Sequence, residues 1–208
     1  MRQVRAKLAA MTPDLLLGLI GFAFVTSITP GPNNIMLMTS GANFGFRRTL
    51  PHMAGVALGF VFMAVAVGLG LIGLFDAWPA SYSVLKVASV GYMLWLAWKF
   101  AHAAPPEGKK AEGRPMSFLQ ACAFQWVNPK AWAMALTAVT VYAPGQTAGA
   151  IVTAALVFGA VNLPSVGSWA LIGREMRRFL STRRRLQAFN WTMAALLVLS
   201  LWPVLRAV

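Results

Sequence analysis

Six consecutive residues, Thr29-Pro30-Gly31-Pro32-Asn33-Asn34, have the chemistry to hold a small zwitterion. Proline lacks a backbone N–H and clashes with the preceding turn, so two prolines around a glycine end any helix that reaches them. Within lipid, freed backbone groups are tolerated only where protein or a water-filled cavity surrounds them. Asn33 and Asn34 follow at once, with amides that both donate and accept. With loose carbonyls and helix ends, they suit the carboxylate and ammonium of an amino acid. The plainer alternative is a kink with asparagines capping a half-helix. The two are compatible, because a capped half-helix end can itself hold a ligand.

Gln125, Asn128, Pro129 and Lys130 form a second constellation. An unpaired lysine near mid-membrane costs on the order of 3 kcal/mol or more. Lys130 is therefore expected to face a cavity, with broken-helix carbonyls or a substrate carboxylate as its partner. Snorkelling of its ammonium to an interface is the alternative. Asn162 and Pro164 are expected to interrupt a later apolar run and line the same cavity. The candidate substrate-binding set is thus Pro30, Gly31, Pro32, Asn33, Asn34, Gln125, Asn128, Pro129, Lys130 and Asn162. No catalytic set, metal site or cofactor motif is expected.

The other polar residues read as structural. His52 and His102 lie at ends of apolar runs without acidic company, so His52, although able to carry protons near neutral pH, is expected to be structural. Asp14 is expected to cap the first helix beside Thr12-Pro13, and Asp76 to end the second. Asn190-Trp191 reads as an interfacial anchor, and Trp95, Trp98 and Trp202 as an aromatic belt.

The elements that position these residues are apolar helices. Of 208 residues, 58% are hydrophobic and only 11% charged, against about 25% charged in a soluble domain. The bilayer is the natural solvent for such a chain. Six runs approach the roughly 20 apolar residues a span needs: about 13–41, 52–75, 82–101, 118–142, 148–172 and 189–205. The first is broken at Pro30-Gly31-Pro32 and the fourth at Asn128-Pro129-Lys130.

The net charge of +13 sits in short clusters between the runs. Arg47 and Arg48 lie in the first link, Lys109, Lys110 and Arg114 in the third, and Arg174, Arg177, Arg178 and Arg183 to Arg185 in the fifth. The second and fourth links carry no cation. By the positive-inside rule the odd links are cytoplasmic and both termini external. That placement argues against nucleic-acid binding, which needs a basic face on a water-soluble segment. Arg2, Arg5 and Lys7 conflict with an external N-terminus, so residues 1–10 are expected to be a non-native extension, with the native start at Met11.

The charged, Pro- and Gly-containing stretch 105–115 reads as a linker. It divides the chain into two three-helix halves, 11–104 and 116–208, each opening on a proline-broken helix. An odd number of spans per half makes the second enter from the opposite side. The expected fold is all-α, with six transmembrane helices as two inverted repeats. The single cysteine, Cys122, excludes a dithiol electron carrier. A metal exporter would want converging carboxylates, histidines or thiolates, and a membrane enzyme a nucleophile or acid–base pair. Neither set stands out, although export of another small solute or of a metal ion and a non-transporting membrane subunit stay open.

Thr29-Pro30-Gly31-Pro32-Asn33 at the end of a first span resembles the hallmark of the LysE/RhtB family of bacterial amino-acid exporters. Gly45-Phe46-Arg47-Arg48, Gly55 and Gly59, Gly91-Tyr92, Leu94 to Lys99, and Phe118 to Lys130 with its Asn-Pro-Lys extend the resemblance from Met11 to the end. It implies an inner-membrane, multi-pass exporter of amino acids or derivatives, driven by the proton gradient. The run Pro30 to Ile35 resembles the cysteine/O-acetylserine branch, with the homoserine/threonine branch close by. The implied partners are the amino-acid substrate, protons and the lipid bilayer, and a homo-oligomer is admitted. The chain departs from expectation in having no mid-membrane carboxylate, which leaves the proton carrier unassigned.

Overall fold

The structure is a computed structural model that describes residues 11–71, 77–78, 80–102, 114–180, 182–200 and 202. The N-terminal ten residues, Asp76 and the linker residues 105–113, on which expectations were placed, lie outside the described residues. Among the described residues there are helices and turns and no strand. The helices are α1 (Pro13–Ile28), α2 (Pro32–Phe44), α3 (Phe46–Ala66), α4 (Ala80–Ala101), α5 (Phe118–Gln125), α6 (Pro129–Tyr142), α7 (Ala148–Met176) and α8 (Arg183–Leu199). A π-helical turn, Val67–Leu71, extends α3.

Short polar side chains start most of these helices by satisfying an orphan amide. Thr12 accepts from the Leu15 amide at 3.3 Å, and Thr147 and Thr182 do the same for α7 and α8. Asp14 sits in the first turn of α1 while Thr12 supplies the cap, so the capping role expected of Asp14 belongs to its neighbour. At α5 the cap is reciprocal: Ser117 accepts from the Gln120 amide and the Gln120 side chain accepts from the Ser117 amide. This is a capping box.

Three boundaries differ from the apolar pattern. First, α3 starts at Phe46 rather than near His52. Gly45, with φ of 82°, turns the chain within one residue, so Arg47 and Arg48 are already helical. Second, α8 starts at Arg183, capped by Thr182, and Asn190 is fully buried inside it rather than anchoring an interface. Its Oδ1 accepts from Asn43 Nδ2 at 3.2 Å, while its own Nδ2 has no partner among the described residues. Third, α7 runs unbroken through Asn162 and Pro164. The Ser165 hydroxyl donates to the Val161 carbonyl at 2.8 Å beside the lost amide, the kind of local re-satisfaction that lets proline sit inside a membrane helix.

Helix α7 is the hub, packing on α1, α2, α3 and α6. Its 29 residues make a rod of about 44 Å. The segments Phe46–Gly70 and Ala148–Met176 are each long and apolar enough to cross a membrane, and α1 with α2 qualifies as a pair bent by 55°. The largest core cluster joins α1, α3, α6 and α7, with Phe60 and Phe158 rings at 4.4 Å. A second joins α2, α4, α5 and α8 around Met36, Met93 and Phe124. Leu17, Phe62, Val87, Leu119 and Leu199 project outward and stay exposed, as side chains facing hydrocarbon do.

Small residues set the closest approaches. A Cβ on Gly41 would collide with the Ala170 carbonyl oxygen, and one on Gly173 with the Met38 carbonyl oxygen. The backbones of α2 and α7 therefore touch at two points. Gly55 and Gly59, one turn apart on α3, meet Phe118, Ala121 and Cys122 of α5 in the same way. Such contacts carry helix association where no hydrophobic driving force exists between helices.

Candidate functional site

The break between α1 and α2 frees the last carbonyls of α1, and side chains from three other helices take them up. Ser27 O accepts from Asn34 Nδ2 at 2.7 Å, and Thr29 O from the same nitrogen at 2.8 Å. Ile28 O accepts from the Trp169 indole N–H at 3.1 Å. Thr29 O also accepts from Lys130 Nζ at 2.7 Å, a contact spanning 101 positions of sequence. Pro30 and Pro32 have no N–H to satisfy. The break thus loses hydrogen bonds along one helix and regains them across the fold.

The second break is satisfied more locally. Residues 126–128 form a tight turn whose amides reach the carbonyls of Ala123, Phe124 and Gln125. Asn128 then caps α6, its Oδ1 accepting from the Lys130 amide at 3.2 Å. Trp132 Nε1 donates to the Trp126 carbonyl at 2.9 Å. No side chain from the first half is needed to close this turn.

The two breaks meet face to face. Asn33 and Gln125 exchange amide hydrogen bonds at 2.8 and 3.2 Å, and Gln125 also donates to the Ala121 carbonyl. Asn162 Nδ2 donates to the Ser27 hydroxyl at 3.0 Å, while its buried Oδ1 has no partner among the described residues. Helices α2 and α6 both begin at this crossing, so two positive helix ends converge on it. The C-terminal end of α1, partially negative, holds the Lys130 ammonium.

Of the predicted set, Gly31, Asn33, Asn34, Asn128, Lys130 and Asn162 line one small cavity, with Thr26, Ser27, Met134 and Val166. Gln125 is fully buried and reaches the cavity only through Asn33. Pro30, Pro32 and Pro129 do not line it; Pro32 and Pro129 begin α2 and α6. Sequence reasoning missed Thr26, Ser27, Met134 and Val166, and Trp169 at the α1 carbonyls. A cue for the first was present: Thr26-Ser27-Ile28-Thr29 is a polar cluster at the end of an apolar run.

Gly31 is glycine for the sake of Lys130. Its φ of −174° is extended and open to any residue. A Cβ there would lie 2.8 Å from Lys130 Cδ and 3.1 Å from Nζ. Gly31→Ala is expected to leave the fold within about 1 kcal/mol, since the far end of a lysine can move. It should push Nζ off Thr29, measured as a shifted Lys130 side-chain ¹⁵N resonance in purified protein that melts nearly as the wild type does.

Comparison with known proteins bears on what this crossing serves. The LysE type translocator family matches residues 24–200. Proteins named cysteine/O-acetylserine efflux protein are similar along nearly the whole length. Those of Escherichia coli (strain K12) and Shigella sonnei (strain Ss046) are each 32% identical over 192 residues, covering 90% of this chain and 96% of theirs. That of Klebsiella pneumoniae is 31% identical over 191 residues, covering 90% and 95%. No solved structure matches the chain. The extent of the family match, laid over a bundle of lipid-suited helices, decides the assignment: the chain belongs to the LysE type translocator family and is a membrane transporter, not an enzyme.

Proposed function

We propose that this protein exports small amino acids of the cysteine/O-acetylserine kind from the bacterial cytoplasm, through alternating exposure of the crossing between the two broken helices. The contact of Lys130 Nζ with the Thr29 carbonyl carries this reading. It ties one break to the other through the one cation among the described residues that line the cavity. An arriving zwitterion can exchange with it: the substrate carboxylate takes the Lys130 ammonium, and the substrate ammonium takes the Thr29 and Ser27 carbonyls. The Lys130 ammonium and the α1 carbonyls stay partnered through the swap.

The cavity in this conformation encloses only about 20 Å³, room for about one water molecule. It is a closed state, and Lys130 fills the space a substrate would take. Opening requires the two halves, 11–104 and 116–208, to rock against each other as inverted repeats of a six-span bundle. Arg47, Arg48, Arg174 and Arg177 border one hollow of about 430 Å³, so the first and fifth links share a face. We assign that face to the cytoplasm, which leaves both termini external in the inner membrane. Proton influx is the driving force we assign, and the similar efflux proteins support the substrate class.

The swap demands both ends of the zwitterion. Cells lacking their own exporters and expressing this chain are expected to clear O-acetyl-L-serine or L-cysteine several-fold faster than control cells. Cysteamine, which lacks the carboxylate, and 3-mercaptopropionate, which lacks the ammonium, should leave at the control rate. Equal export of all four would remove Lys130 and the α1 carbonyls from substrate recognition.

A further inference from the structure

A larger cavity, of about 380 Å³, lies between α2, α3 and α4 on the arginine-bearing side, apart from the crossing. His52 lines it although only 1% exposed, and neither ring nitrogen has a hydrogen-bond partner among the described residues. A buried imidazole with no partner is costly unless something joins it. The neighbouring hydroxyls have spent their protons. Thr39 Oγ1 donates to the Ile35 carbonyl at 2.8 Å. Thr49 Oγ1 donates to the Gly45 carbonyl at 2.9 Å, so in its 2.8 Å pair with Ser40 the serine is the donor. Thr39 and Ser40, both lining the cavity, are left with oxygens that can only accept.

The rim has the opposite character. Lys99, stacked over the Trp95 ring at 4.6 Å, and Arg114 border the same cavity. His102 also borders it, with Nδ1 held on the Trp98 carbonyl at 2.8 Å. The cavity therefore has acceptors at its floor, cations at its mouth, and no carboxylate among the described residues that line it. Its size falls in the range of small-molecule sites.

We infer that this cavity is a second amino-acid site, a receiving chamber on the cytoplasmic side. There the substrate ammonium sits on Thr39, Ser40 and His52, and its carboxylate on Lys99 and Arg114. The inference rests on the export reading above and adds a station before the crossing. It orients the zwitterion with its ammonium innermost before it reaches Lys130. It also explains why a histidine is kept unpartnered in the floor, since the ligand completes its hydrogen bonding.

The chain has two histidines, so ¹⁵N-histidine labelling of the purified full chain yields two imidazole signals, told apart with His102→Asn. O-acetyl-L-serine is expected to shift the His52 signal saturably, both in the wild type and in Lys130→Met. The apparent Kd should weaken at least fivefold in Ser40→Ala and in Lys99→Glu. Cysteamine and 3-mercaptopropionate at the same concentrations should leave the signal in place. A His52 signal unmoved in a chain that exports overturns the chamber and leaves the export reading standing. So does a shift seen in the wild type but lost in Lys130→Met, because the signal then reports on the crossing. A shift by 3-mercaptopropionate equal to that by O-acetyl-L-serine reduces the cavity to a simple anion site and also overturns the proposal. A saturable His52 shift in a chain that moves no amino acid keeps the chamber and removes the export reading.

Discussion

Lys130→Met is expected to bring export of O-acetyl-L-serine or L-cysteine to background while the protein still inserts and melts nearly as before. Removing one partner of a desolvated, hydrogen-bonded charge pair costs about 2–5 kcal/mol. At about 1.4 kcal/mol per factor of ten, that is a loss of at least roughly 10²-fold in rate. The fold loses far less. Thr29 O keeps its bond from Asn34 Nδ2 at 2.8 Å when Lys130 Nζ is gone, so no buried carbonyl is orphaned. Lys130→Arg should also export poorly. The lysine stem passes close to Gly31, and a planar guanidinium cannot follow the same path. The check is export rate and thermal melting on the same three preparations.

Gly41→Val and Gly173→Val are expected to remove folded protein altogether. A side chain at either position points into a backbone carbonyl of the facing helix: Ala170 for Gly41, Met38 for Gly173. The Gly173 substitution also meets the Met38 carbonyl carbon at 2.8 Å and the Ala42 amide nitrogen at 3.0 Å. Backbone cannot step aside as a side-chain tip can, so the helices must separate. Overpacking costs about 1–3 kcal/mol where neighbours yield, and here they do not. The total stability to be overcome is about 5–15 kcal/mol. Loss of α2–α7 contact also undoes the crossing, since Asn34 at the start of α2 and Trp169 on α7 both tie down α1. Gly21→Ala and Gly91→Ala, where a Cβ meets nothing within 4 Å, should behave as wild type. Monodispersity by size exclusion in detergent separates the two groups.

Much of this arrangement was legible in the residues. Proline and glycine at 30–32 and the Asn-Pro pair at 128–129 announce breaks through backbone chemistry alone, and the breaks fall there. Thr12, beside Pro13, marks the start of α1 in the same way, whereas the cap at Thr182 went unread and the start of α8 was placed six residues late. Lys130, alone in an apolar run, announced that a partner must exist. It could not announce which, because Thr29 lies 101 positions away and its carbonyl is no different in sequence from any other.

What stayed hidden was tertiary in origin. Composition favours starting α3 after Pro51, yet one glycine at positive φ moves the start to Phe46. Asn190 looks interfacial until Asn43 is brought beside it from the other half. Asn162 and Pro164 look like a third break, but a serine hydroxyl next in sequence keeps α7 continuous. Gly41 and Gly173 carry no periodic cue that they face each other's helix. His52 read as an ordinary structural histidine, and only the absence of a partner for its buried ring among the described residues sets it apart.

The central claim is that an amino acid crosses the membrane between the two breaks. Counterflow of labelled O-acetyl-L-serine into vesicles reconstituted with the purified chain and preloaded with unlabelled substrate tests it most directly. The account predicts transient, saturable accumulation in wild-type vesicles and none above empty vesicles in Lys130→Met. Accumulation in Lys130→Met at the wild-type rate, or none in the wild type, would contradict it.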